Sequence, residues 1–321
     1  MANTRFAYVR QFEQETTLMP DCWPLIRVDG RGFTGFSKVH DFRKPNEPLA
    51  LGVINAAAAH VMAQFDDIVL AYGHSDEYRK ILSSVVSAFS AAYCFHWSAF
   101  YPNRPLKTLP TFDGRIVLYP RFEHVVDYFS WRHADCHINN QYNICFWCLV
   151  GDGKSPDEAY KWLKHTQKGE KNEYIFKSRG INYNNLPRIF RKGTTLVRLA
   201  DPETKDDTPR NDAQRDESLN NVEGSEISHS TEMPAPPKAG EADDVIAPII
   251  AEEELLAISH KLEAICSAFR IGVLHCDNIN DEFWKAVAPS YLDSGAQNTR
   301  DRISTLSPLS RENIALLNTG K

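Results

Sequence analysis

One arrangement near the N-terminus constrains this chain more than any other. An apolar run ending in an acid is followed by a long alanine-rich segment and a second apolar run that also ends in an acid. Leu25-Ile26 leads into Asp29, and Ile68-Val69-Leu70-Ala71 leads into Asp76. Between them Pro48–Gln64 reads as a helix, because Pro48 suits a first turn and little interrupts the residues after it. Residues 23–28 and 67–72 read as strands, and Gly73-His74-Ser75 as a tight turn. Strand, helix, strand and turn make a βαβ-type unit that runs on into a hairpin. Two acids at the ends of neighbouring strands can share divalent cations.

The rest of the chain divides by composition. Helices are predicted over 85–100, 122–149 and 156–167, and a strand over 115–119. Residues 200–249 are acidic, polar and proline-rich, and bury too little apolar surface to offset their ordering entropy, so a disordered linker is expected. Residues 250–293 regain a helical pattern through Leu255, Leu256, Ile258, Leu262, Ile265 and Phe269. Residues 294–321 read as a loose tail. The net charge of −6 hides an asymmetry: residues 1–199 carry 25 Lys and Arg against 19 Asp and Glu, and residues 200–321 carry 11 against 23. Residues 151–199 alone hold 11 bases and 5 acids, a candidate phosphate-facing surface that competes with the reading of a solvated lysine face. No apolar run reaches the roughly 20 residues that span a bilayer, and the first residues lack a secretory apolar core. Seven cysteines without disulfide spacing agree with a reducing compartment, so a cytoplasmic or nuclear location is expected, with no membrane.

The motifs around the two acids point to phosphoryl chemistry. In Arg27-Val-Asp29-Gly30-Arg31-Gly32-Phe33, the glycines let backbone N–H groups approach phosphate oxygens. Asp29 and the Gly30 carbonyl can ligate metal, Arg27 and Arg31 can neutralise phosphate, and Phe33 can stack on a base. Ser75-Asp76-Glu77 places two more acids in the turn after the second strand. Two Mg²⁺ ions held between such acids can activate a hydroxyl and stabilise departing pyrophosphate. Phosphoryl-transfer palm domains are built this way, so the fold expected is α+β (α/β), a polymerase-like palm with an antiparallel sheet and flanking helices. The run His137-Ile-Asn139-Asn140-Gln-Tyr-Asn143 collects poor helix formers inside a helical stretch, which suits either nucleotide or RNA contacts or a polar core network. Lys171-Asn172-Glu173 and Arg191-Lys192-Gly193 jointly suggest RNA backbone contacts. Cys145-Phe-Trp-Cys148 lies in an apolar run and reads as packing cysteines.

On these phrases, with Lys44-Pro-Asn46, Ala71-Tyr-Gly-His-Ser-Asp-Glu-Tyr78, Phe112-Asp-Gly-Arg115, Ala134-Asp-Cys-His-Ile-Asn-Asn140, Asn182-Tyr-Asn184 and Leu274-His-Cys-Asp277, the chain closely resembles eukaryotic (fungal-like) tRNA-histidine guanylyltransferases. The resemblance covers residues 1–199 and resumes at 274–284. It implies a nucleotidyltransferase that adds a guanosine to the 5′ end of tRNA-His in the 3′→5′ direction. ATP adenylylates the 5′-phosphate, the 3′-OH of GTP displaces AMP, and pyrophosphate is removed. It implies two Mg²⁺ ions, GTP and ATP as substrates, and a homotetramer. Carried over by motif, Asp29, Gly30 and Asp76 bind metal, and Asp29, Asp76 and Glu77 are catalytic. Asp29, Gly30, Arg31, Gly32, Phe33, Thr34, Ser75 and Asp76 form the GTP site. Arg27, Lys44 and Lys80 face the triphosphate, and His137, Asn140, Lys171, Asn172, Arg191 and Lys192 serve tRNA or nucleotide binding.

Two departures from the family pattern stand out. Thr34 occupies a position where the family usually has histidine. After Tyr78 about fifteen residues are missing, so the strand beyond Glu77 has little chain in which to run on and return at about 3.3 Å per residue. A catalytically impaired tRNA-binding homologue is therefore an alternative to an active enzyme, and another palm enzyme such as a nucleotide cyclase is a third reading.

Overall fold

The computed structural model describes residues 19–73, 82–200, 251–288 and 308–319. The elements are β1 (Trp23–Gly30), α1 (Phe33–Val39), α2 (Pro48–Gln64), β2 (Leu70–Gly73), α3 (Leu82–Phe100), β3 (Phe112–Tyr119) and α4 (Phe122–Gly151). After them come α5 (Pro156–Lys164), α6 (Lys168–Arg179), a 3₁₀ turn at Tyr183–Asn185, α7 (Arg188–Lys192) and β4 (Thr194–Arg198). The C-terminal part supplies α8 (Glu252–Ala268), β5 (Ile271–Leu274), α9 (Asp281–Val287) and α10 (Arg311–Thr319). No described helix is long and apolar enough to cross a membrane.

Among the described residues all three strand ladders are antiparallel. β1 pairs with β3, Asp29 opposite Asp113, and β2, β4 and β5 form a three-stranded sheet in that order. Alternation along each strand shows that the two sheets share a layer, because successive side chains point to opposite faces. Ile26 and Val28 of β1, Ala71 of β2, Leu196 of β4 and Ile271 of β5 enter one core with α2, α3 and α8. Leu25, Tyr72, Val197 and Leu274 enter a second core with α4 and α9. A third cluster joins the C-terminal half of α4 to α5, α6 and Tyr183. The protein is thus an α+β fold with helices on both faces of antiparallel strands.

Local chemistry explains the elements that place the site. In α2 the Glu47 side chain caps the first turn by accepting from the Leu49 backbone N–H, and Pro48 sits next where its missing donor costs nothing. Ala56, Ala57, Ala58 and Ala59 are at most 3% exposed, so α2 is buried nearly all round between α3 and α8. Small side chains permit that approach. Arg43 ties the entry to α2 by donating to Glu47 and to Glu254 of α8.

The structure departs from the sequence-based expectation in three places. The strands ahead of Asp29 and Asp76 are read as neighbours, but among the described residues no ladder joins β1 to β2. Each pairs elsewhere, and the connection from β2 to α3 comprises only residues 74–81. The tail is not loose throughout. Leu309 is 2% exposed and bridges to Leu199, and α10 packs Ile314 and Leu317 on the second core. The third predicted helix ends at Lys164 instead of 167, and α6 starts afresh after Gln167. The expected turn at 73–75 beyond Gly73, the catalytic candidates Asp76 and Glu77, Ser75, Lys80 and the linker over 201–250 lie outside the described residues.

Candidate functional site

Asp29 closes β1 with its side chain 29% exposed, and its Oδ2 lies 2.5 Å from Arg27 Nη2. Two residues apart on one strand, Arg27 and Asp29 point to the same face, the one that α4 covers. The register sets Asp113 opposite Asp29 and Arg115 opposite Arg27. Side chains opposed across an antiparallel pair have Cβ atoms about 5 Å apart. The Phe112-Asp-Gly-Arg115 phrase contains this second carboxylate, but its pairing with Asp29 is not legible there, because a motif carries no strand register. Beyond Gly30 the chain turns through Gly32, whose φ of 69° suits glycine, and a Cβ added there would meet nothing within 4 Å. The backbone at Gly32 therefore stands open to a ligand, while the Arg31 N–H donates to the Thr111 carbonyl at 2.8 Å. Arg31 and Thr34 are exposed. The Phe33 ring is not: it stacks on Phe36 at 5.0 Å and contacts Phe112 and Tyr93, so base stacking by this ring is corrected to aromatic packing. Lys44 lies on the loop before α2 with its ammonium 5.8 Å from the Trp147 ring centre.

The amide-rich part of α4 is largely a polar strut. Asn140, 6% exposed, accepts from Asn46 Nδ2 at 3.0 Å and donates to the Tyr183 hydroxyl at 3.2 Å. That hydroxyl donates to the His137 carbonyl at 3.1 Å. Asn140 is therefore turned into the protein and not toward an RNA, because α4 meets the α2 entry loop and the 3₁₀ turn at this point. Asn172 accepts from Gln141 Nε2 at 2.6 Å, and Lys171 donates to the Thr166 carbonyl at 2.5 Å. Arg191 Nε donates to the Leu186 carbonyl at 2.8 Å. His137 is half-buried, and burial first, then the charges of Lys168, Lys192, Arg191 and His133, hold its pKa below the usual imidazole value. Several cations thus converge on this part of α4. Cys145 and Cys148 are buried in the third cluster, and burial pushes their thiols up to about 12 and about 11. Both pack, as the apolar context suggests.

Lys192 shows another function of the segment. Its ammonium forms an ion pair with Asp277, whose carboxylate also lies 3.1 Å from His133 Nε2. Hydrogen bonding from His133, then the Lys192 ammonium, keeps the Asp277 carboxyl well below the usual carboxylate range. Gly193 comes next in the chain, with φ 69° and ψ −164°. A Cβ there would come within 2.8 Å of both the Gly73 carbonyl oxygen and the Tyr72 hydroxyl. The α7–β4 junction is pressed against the end of β2, the strand that leads toward Asp76.

The family described as tRNAHis guanylyltransferase matches residues 6–120, and the one described as Thg1 C terminal domain matches residues 123–234. The chain is 39% identical over 306 residues to the tRNA(His) guanylyltransferase of Neurospora crassa, covering 89% of this chain and 94% of that protein. It is 49% identical over 214 residues to a probable tRNA(His) guanylyltransferase of Drosophila melanogaster, covering 62% and 74%. The crystal structure of the tRNA(His) guanylyltransferase from Saccharomyces cerevisiae matches with a TM-score of 0.58 at 40% identity, over 60% of this chain and 93% of that one. The Drosophila alignment spans 214 positions yet takes up 62% of 321 residues, about 199, so about 15 of its positions have no counterpart here.

Proposed function

This chain belongs to the tRNAHis guanylyltransferase family, and we propose that it is a nucleotidyltransferase that adds a guanosine to the 5′ end of tRNA-His. The observation that carries the reading is the end of β1, where a solvent-reachable carboxylate at Asp29 lies close in the chain to the open backbone of Gly32, beside Arg27 and Arg31. ATP adenylylates the 5′-phosphate and releases pyrophosphate, the 3′-OH of GTP attacks that phosphate and displaces AMP, and pyrophosphate is then removed from the new 5′ end. Such a transfer asks for positioning and charge neutralisation more than for covalent chemistry.

The chain's own groups divide that work. The backbone N–H of Gly32 is placed to approach phosphate oxygens, the Arg31 N–H being held by the Thr111 carbonyl at 2.8 Å, and Arg27, Arg31 and Lys44 offset triphosphate charge. Asp29 and the Gly30 carbonyl are hard oxygen donors and fit Mg²⁺; Asp76, from the Ser75-Asp76-Glu77 phrase, would complete the set. Magnesium held there would stabilise negative charge on the transferred phosphate. Thr34 offers a hydroxyl at the rim of the nucleotide site. The basic segment of α5 to α7 suits the tRNA backbone.

The test is transfer of labelled GTP to a tRNA-His transcript. Transfer that requires Mg²⁺ and disappears in Asp29→Ala supports the reading. Absence of transfer by pure protein across all Mg²⁺ concentrations sinks it.

A further inference from the structure

Three titratable groups from distant parts of the chain meet where β4 begins. Asp277 lies just after β5, Lys192 ends α7, and His133 lies in the first half of α4. Lys192 and His133 share the same carboxylate oxygen of Asp277. His133 is 3% exposed, and its Nδ1 is buried without a hydrogen-bond partner. Its Nε2–H is therefore the atom that braces the carboxylate. The ring also packs against Tyr72, 6.1 Å between ring centres, which holds the imidazole beside the carboxylate.

The trio sits at one end of the three-stranded sheet. The Tyr72 hydroxyl donates to the Lys192 carbonyl at 3.2 Å, and Gly193 packs on the Gly73 carbonyl. Lys192 is thereby fixed beside the end of β2. Tyr72 and Asp29 point to the same face of the strand layer. The Lys192 side chain keeps 21% of its exposure and that of Asp277 keeps 38%, so the pair opens to solvent. An ammonium has three donors and this contact uses one. A lysine side chain has many rotamers, and a carboxylate anchored at the end of β5 removes that freedom before a ligand arrives. Lys168, Arg191 and Lys192 all act on His137, so the surroundings stay cationic although one carboxylate is present.

We infer that Asp277 is a positioning residue: braced by His133, it clamps Lys192 so that the ammonium is presented to a phosphate group at the end of β2. The nature of the phosphate, on a nucleoside triphosphate or on tRNA, rests on the guanylyltransferase reading; the clamp itself does not.

A double-mutant cycle on the full chain tests it, using Asp277→Asn, Lys192→Met and the pair together. Affinities are read without turnover, for ATP and GTP in one arm and a tRNA-His transcript in the other. Each single variant is expected to weaken one arm about tenfold, and the double variant to be no weaker than Lys192→Met. The arm that weakens identifies the phosphate. Affinities within twofold of wild type in both arms, effects that add in the double variant, or a wild-type chain that binds neither ligand overturn the proposal. If Asp277→Asn melts below the assay temperature, Asp277→Glu replaces it. Displacing the charge should cost about threefold with Lys192 present and nothing in Lys192→Met; equal losses in both backgrounds also overturn it. Lack of GTP transfer by wild type would count against the enzyme reading alone, since the cycle does not use turnover.

Discussion

At the scale of single residues, Gly193 and His96 make contrasting demands. Gly193 adopts a backbone conformation open essentially to glycine alone and leaves no room for a Cβ against Gly73 and Tyr72. Gly193→Ala should lower the unfolding free energy by about 3 kcal/mol, the sum of backbone strain and a forced displacement, as read by urea denaturation. His96 is 5% exposed and lies 3.3 Å from His60 across the α2–α3 contact. Burial, with the neighbouring His60, lowers its pKa to about 4. The folded ring stays neutral down to that pH, whereas the unfolded ring charges near 6.5. The unfolded state thus binds more protons between those values, and stability falls as pH drops through that window. The loss should reach about 2 to 3 kcal/mol by pH 4 and be smaller in His96→Gln, which cannot take the proton; urea melts at pH 7 and pH 5 would show this. Neither effect is legible in the sequence, because both depend on which backbone or ring another element brings close.

At the scale of elements, the strand layer carries the main lesson. The order strand, helix, strand is visible in the sequence, and α2 has the bounds read from it. Pairing is not visible. β1 takes β3 and β2 takes β4, and no ladder among the described residues joins the two sheets, although their alternate residues fill the same cores. In a βαββαβ unit the strand after the second pairs inside the sheet, and the roughly fifteen residues expected from the family pattern after Tyr78 are enough for such a strand and its turn at about 3.3 Å per residue. Inserting the corresponding segment of the Drosophila relative after Tyr78 should raise the thermal midpoint by several degrees and increase GTP transfer. A midpoint that falls or stays unchanged would show that the two sheets need no strand between them. The free edge of β5 is managed differently: Asn318 of α10 accepts from the His275 N–H at 2.8 Å and donates to the Val273 carbonyl at 3.0 Å. This side chain satisfies an edge that would otherwise template pairing. Asn318→Ala should cost about 1 to 2 kcal/mol, measurable by chemical denaturation.

At the scale of the whole molecule, the C-terminal part is structural. Leu262 and Ile258 of α8 enter the first core, β5 extends the sheet, and Phe283 and Trp284 of α9 fill the second core. Arg43 binds Glu254 at 2.5 and 2.9 Å, so α8 also steadies the loop that carries Lys44 and Asn46. A chain cut after Leu199 would leave β4 with an open edge and α2 with a bare apolar face. It should elute as aggregate in gel filtration, whereas the full chain should elute as a discrete species, with light scattering in the same run giving its mass.

The sequence by itself determined the chemistry near Asp29: its acid, glycines and arginines are contiguous, and contiguity survives any fold. It also determined α2 and α4, since helices are built from neighbours in sequence. The tertiary structure alone decided that Asp113 faces Asp29, that Phe33 and Asn140 turn inward, and that Asp277 holds Lys192 beside the end of β2. Each of those depends on strand register or on chain segments brought together from far apart. No local pattern encodes such a meeting, because its free energy comes from burial shared between elements.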